Sequence, residues 1–126
     1  MFVKRLLQLN LFVSIIVAIA LIIAPKPTLA LYGIIGDNIF YAIVQYFGTT
    51  HVAFAILVWL SLRKNEPQLR RIIVISFFAG DLAGSLVLLI AQVRGLMNTF
   101  GWVLVGFSLL FAFGYGYCAL KKLPAI

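Results

Sequence analysis

Acidic side chains are scarce: in 126 residues there are three Asp and Glu, against ten Lys and Arg. Charged residues make up only 10% of the chain and hydrophobic ones 64%. A domain folded in water needs far more polar surface than that, and would expose apolar patches large enough to drive association. Lipid is left as the solvent. Cysteine occurs once, at Cys118, which forbids an intrachain disulfide, a CxxC redox pair and a cysteine-rich zinc site. The quinone-linked thiol oxidoreductases, also small helical membrane proteins, are thereby excluded. Cys118 reads as a packing residue, because a buried free thiol behaves as a small hydrophobe. Histidine also occurs once, at His51, so one chain cannot supply bis-imidazole ligation. The sequence contains no phosphate-cradling glycine loop, nucleophile elbow or cluster of metal ligands. Neither a hydrolytic nor a phosphoryl-transfer enzyme is expected, and no cofactor is assigned.

What is present is cationic and clustered. The formal net charge is +7, but the basic residues stand in short groups between apolar runs rather than as a stripe on one surface. Nucleic acid is therefore not an expected partner; anionic lipid headgroups are.

A spanning helix needs about 20 mostly apolar residues to cross about 30 Å of hydrocarbon. Four runs qualify, at about 6–24, 39–62, 72–93 and 101–120. Gln8 and Asn10 make the first turns of the first run polar, and Pro25 and Pro27 stop it. Open strands cannot satisfy their backbone in lipid, and nothing alternates with period two. The fold class expected is all-α, an integral membrane four-helix bundle forming one transmembrane domain over 1–126. Lys4, Arg5, Arg63, Lys64, Arg70, Arg71, Lys121 and Lys122 fall on one side, and only Lys26 and Arg94 on the other. The positive-inside rule puts the crowded side, and with it both termini, in the cytoplasm. The expected location is the inner (plasma) membrane. Lys4-Arg5, the apolar stretch and Thr28-Leu29-Ala30 also resemble a signal peptide with its cleavage site, but the run is long for an h-region, and retention is the preferred reading.

Between spans, Thr28 to Gly33 reads as a segment at the outer interface, with Thr28 as a cap and Tyr32 at headgroup depth. Gly36-Asp37-Asn38 is turn chemistry. Arg63 to Arg71 is a tight loop that makes the second and third spans an antiparallel hairpin. Trp59 and Trp102 stand at belt positions.

Asp81 lies near the middle of the third span, where a carboxylate costs about 2.5–3.5 kcal/mol on insertion scales. His51 falls at nearly the same depth on the second span, with Thr49 and Thr50 beside it. Ser85 and Gln92 continue the Asp81 face, and Gln45 and Gly48 lie outward of His51. The expectation is one polar seam, Asp81, His51, Thr50, Gln45 and Ser85, buried between the second and third spans. It has two readings: a titratable pathway for an ion or small ligand, or hydrogen bonds that merely fix helix register. Gly80 and Gly84 form a Gly-x-x-x-Gly around Asp81, fit either for packing within the bundle or for self-association. Phe107, Phe111, Phe113, Tyr115 and Tyr117 are expected to fill grooves and meet lipid.

Several stretches carry a likeness to known proteins. They are Pro27-Thr28-Leu29-Ala30-Leu31-Tyr32-Gly33, Tyr46-Phe47-Gly48, Phe113-Gly114-Tyr115 and, most specifically, Gly95-Leu96-Met97-Asn98-Thr99-Phe100-Gly101-Trp102. Through them the chain resembles a family of small uncharacterised bacterial membrane proteins with four helices, and the resemblance implies that architecture without supplying an activity. Physically, Gly95 and Gly101 bracket a tight outer turn in which Asn98 can satisfy backbone groups freed at two helix ends.

The function expected is association, as an accessory or scaffold subunit in a larger membrane complex, since no loop is long enough for a catalytic domain. The rivals are a small proton-coupled transporter using Asp81 and a haem- or pigment-binding subunit using His51.

Overall fold

The computed structural model describes residues 2–121. Its helices are α1 (Phe2–Ile23), α2 (Pro25–Ala30), α3 (Asn38–Arg63), α4 (Pro67–Val93) and α5 (Gly101–Leu120). All but the short α2 are long and apolar enough to cross a membrane. At 1.5 Å per residue they extend roughly 30–40 Å, enough for the hydrocarbon core. The all-α, four-spanning expectation holds.

Helix boundaries follow local chemistry. Pro25 and Pro27 end α1 but fit the first turn of α2, where a missing N–H costs nothing. Thr28 is not a cap. It sits inside α2, and its hydroxyl donates back to the carbonyls of Ala24 (2.6 Å) and Ala20 (3.3 Å), which also accept the Thr28 and Ala24 N–H groups. Asp37 is the cap of α3, its carboxylate accepting from the Phe40 N–H at 2.8 Å. The loop expected over 63–71 shrinks to Lys64–Glu66, with Asn65 at positive φ. Pro67 starts α4 early, so Arg70 and Arg71 are helical. Arg70 is only 4% exposed, and its guanidinium reaches the Ser61 carbonyl at 3.4 Å. It thus complements the carbonyl-rich end of α3. Lys122, part of the expected cationic side, lies outside the described residues.

The long helices pack as two chain-consecutive pairs. α1 lies along α3 and α4 along α5, whereas α3 touches α4, and α1 touches α5, only sparingly. Around the bundle the order is α3, α1, α5, α4. Small residues select these partners: a Cβ on Gly48 of α3 would stand 2.9 Å from the Leu21 side chain of α1, and one on Gly116 of α5 2.8 Å from the Phe78 ring of α4. The core is uneven along its length. Toward the basic end it is built of Leu6, Leu7, Val58, Ile73, Val74, Phe111, Tyr115 and Cys118. Toward the other end the buried positions are mostly small or polar, Ser14, Ala18, Gly48, Ser85 and Gln92 beside Leu21 and Val105.

Asn98 closes that other end. Its N–H donates to the Tyr32 carbonyl (2.9 Å) and its Nδ2 to the Leu31 carbonyl (2.8 Å), while its Oδ1 accepts from the Phe100 N–H (3.0 Å). Its carbonyl accepts from Gln92 Nε2 at 3.0 Å. Tyr32 packs on Phe100 with ring centroids 5.4 Å apart, and burial raises the Tyr32 phenol above its usual pKa.

Candidate intramembrane polar site

The polar residues near the middle of the spans do not form one seam between α3 and α4. Those two helices touch only sparingly, and Ser85, Gln45 and Thr50 have each turned to a nearer partner. Ser85 faces α5: its hydroxyl donates to the Asp81 carbonyl at 2.6 Å and lies 2.8 Å from the Ser108 hydroxyl. Ser108 also reaches the Asp81 carbonyl, at 3.3 Å. Gln45 faces α1, where Nε2 donates to the Ile22 carbonyl at 2.8 Å. Thr50 and Thr49 bond within α3, to the carbonyls of Phe47 and Tyr46 at 2.6 Å each. This is the common resort of a hydroxyl in an apolar helix. Gln92 belongs to the Asn98 closure rather than to the mid-span group.

His51 stands edge-on between Phe47 and Phe54 of its own helix, at centroid distances of 5.1 and 5.7 Å. The series continues through Phe77 of α4 to Tyr115 and Phe111 of α5 in steps of 5.5, 5.6 and 6.1 Å. The edge-to-face pairs Phe54–Phe77 and Phe77–Tyr115 link three helices, while Phe111 stacks on Tyr115 within α5. His51 Nδ1 and Tyr115 Oη are buried without a hydrogen-bond partner among the described residues.

Asp81 is half-buried. The hydrogen bonds it takes part in end on its carbonyl oxygen, and among the described residues none reaches its carboxylate. Tyr115 lies within electrostatic reach of it and beside Asn10 of α1. Asn10 accepts in turn from Ser14 at 3.0 Å. Sequence reading passed over Ser108 and Tyr115 as neighbours of Asp81, and Asn10, with its partner Ser14, as a neighbour of Tyr115. The signal was available in part: Asn10 and Ser14 are four residues apart near the middle of the first span, at the depth of Asp81.

The Gly-x-x-x-Gly pair divides between two roles. Gly84 faces α5, where an added Cβ would come 3.9 Å from Ser108 Oγ; a Cβ on Gly80 would meet nothing within 4 Å. Ser76, Ala79, Gly80 and Ala83 form an exposed strip of small residues at helical spacing along α4. Among the described residues no group of three or more His, Cys, Asp or Glu is placed to hold a metal ion.

Fold and site together define a multi-pass membrane protein of two tight helix pairs, with a mid-span carboxylate that no hydrogen bond reaches among the described residues. No family model matches the chain, and no curated protein or solved structure shows significant similarity to it.

Proposed function

We propose that this protein works by association within the inner membrane, as an accessory or scaffold subunit with its basic end in the cytoplasm. The observation that carries the reading is Gly80, which lies open in a strip of small residues on the lipid-facing side of α4. Small residues admit another helix to backbone contact, where van der Waals packing supplies the driving force. The occupant is a helix of a larger complex or of a second copy, and catalysis has no part in the reading. Gly80→Leu fills the strip, and Gly106→Leu adds the same bulk at an equally open position on α5. In mild detergent the parent protein is expected to migrate as a complex larger than one chain. Gly80→Leu should release it to the size of a single chain, while Gly106→Leu should not. A parent protein that already runs alone would end the proposal.

A proton-coupled transport role is the second reading, favoured by the Asp81 carboxylate standing near Tyr115 with no donor among the described residues. Asp81→Asn keeps the shape and removes the charge. The reading expects pH-dependent cation or drug efflux from proteoliposomes that this substitution abolishes, and full activity in Asp81→Asn would dismiss it.

A further inference from the structure

A groove of about 730 Å³ opens at the basic end between the first turns of α4 and the last turn of α5. That lies in the range of small-molecule sites, about 300–1,000 Å³. Its composition changes with depth. Gln68, Arg71 and Lys121 stand at its mouth, near the helix ends, and Ile72, Ile75 and Leu120 form its walls. Along α4, Ile75 lies roughly 10 Å deeper in the membrane than Gln68. Arg71 and Lys121 come from different helices and converge on one opening, and Lys121 Nζ is steadied 4.5 Å from the Tyr117 ring centroid. Arg70, next to Arg71, is turned the other way and committed to α3, so Arg71 is the guanidinium left for the groove.

A cationic mouth above apolar walls is the complement of one kind of molecule. We propose that this groove binds an anionic phospholipid of the surrounding leaflet, its phosphate between Arg71 and Lys121 and its first methylenes along Ile72, Ile75 and Leu120. A free phosphate would leave the apolar walls without an occupant. A zwitterionic lipid would bring an ammonium group against two cations. The fixed fork of arginine suits phosphate oxygens, and the lysine adds a point charge.

The full-length protein is purified in detergent, and native mass spectrometry follows its adducts with added phosphatidylglycerol and phosphatidylcholine. Preferential retention of phosphatidylglycerol is expected. Arg71→Gln and Lys121→Gln should each reduce it about fivefold, the worth of one cation at the membrane surface. Ile75→Trp fills the groove while leaving both charges, and should abolish the preference as well. Lys4→Gln and Arg5→Gln remove charge from the same end on another helix and should leave it unchanged. Equal retention of the two lipids would overturn the proposal, as would a loss in the Lys4 or Arg5 variants as large as that in Arg71→Gln. A preference that inorganic phosphate abolishes at concentrations equal to the lipid's would show a simple anion site and overturn the lipid assignment.

Discussion

Asn98 does more work per atom than any other side chain in the connections. Its Nδ2 and Oδ1 tie Leu31 and Phe100 while its backbone holds Tyr32 and Gln92. Asn98→Ala removes two side-chain hydrogen bonds and should lower stability by about 1–3 kcal/mol, read as a fall in the thermal transition in detergent. Asn98→Asp keeps the acceptor and loses the donor, so it should fall between the two. The importance of Asn98 was legible in the sequence, because an Asn between two glycines at the joint of two apolar runs has few other uses. Its reach to Leu31, 67 residues away in the chain, was not, since nothing in local spacing encodes a contact between two distant loops. His51 and Asp81 stood out in the sequence as polar residues near the middle of neighbouring spans. Whether they would face one another depended on helix rotation, which spacing along each helix leaves open.

At the scale of the helix, the spans themselves were plain, since length, apolarity and prolines mark them. The start of α4 was misjudged because Arg70 and Arg71 look like loop residues, yet Pro67 begins a helix readily and Arg70 finds a place over the end of α3. Partner choice was hidden too. It rests on which glycine meets which side chain, and the glycines make unequal demands. Gly48→Leu would force α1 and α3 apart and should sharply reduce the yield of folded protein. Gly106→Ala meets open space and should leave the thermal transition unchanged or slightly raised, because Ala is the better helix former. Equal effects of the two would contradict the α1–α3 pairing.

For the whole molecule, the distribution of cations predicts an orientation, and labelling tests it. In a Cys118→Ser background, Glu66→Cys should react with a membrane-impermeant maleimide only after the cells are opened, and Thr99→Cys should react in intact cells. The reverse pattern would invert the topology and move the proposed lipid groove to the outer leaflet. The division into two pairs follows the chain order, since neighbours in the chain usually pack together, but that the middle pair, α3 and α4, would touch so sparingly could not be read from it.

That division gives the short turn at Lys64–Glu66 a mechanical meaning. It is the one covalent bridge between the α1–α3 half and the α4–α5 half, while at the opposite mouth the halves are latched by the bonds of an exposed Asn98 and one pair of rings. Like tongs, such a molecule pivots at the riveted end. Thermal separation of its arms is therefore expected to begin at the end away from the cations, admitting water or lipid tails toward Asp81 from that side first.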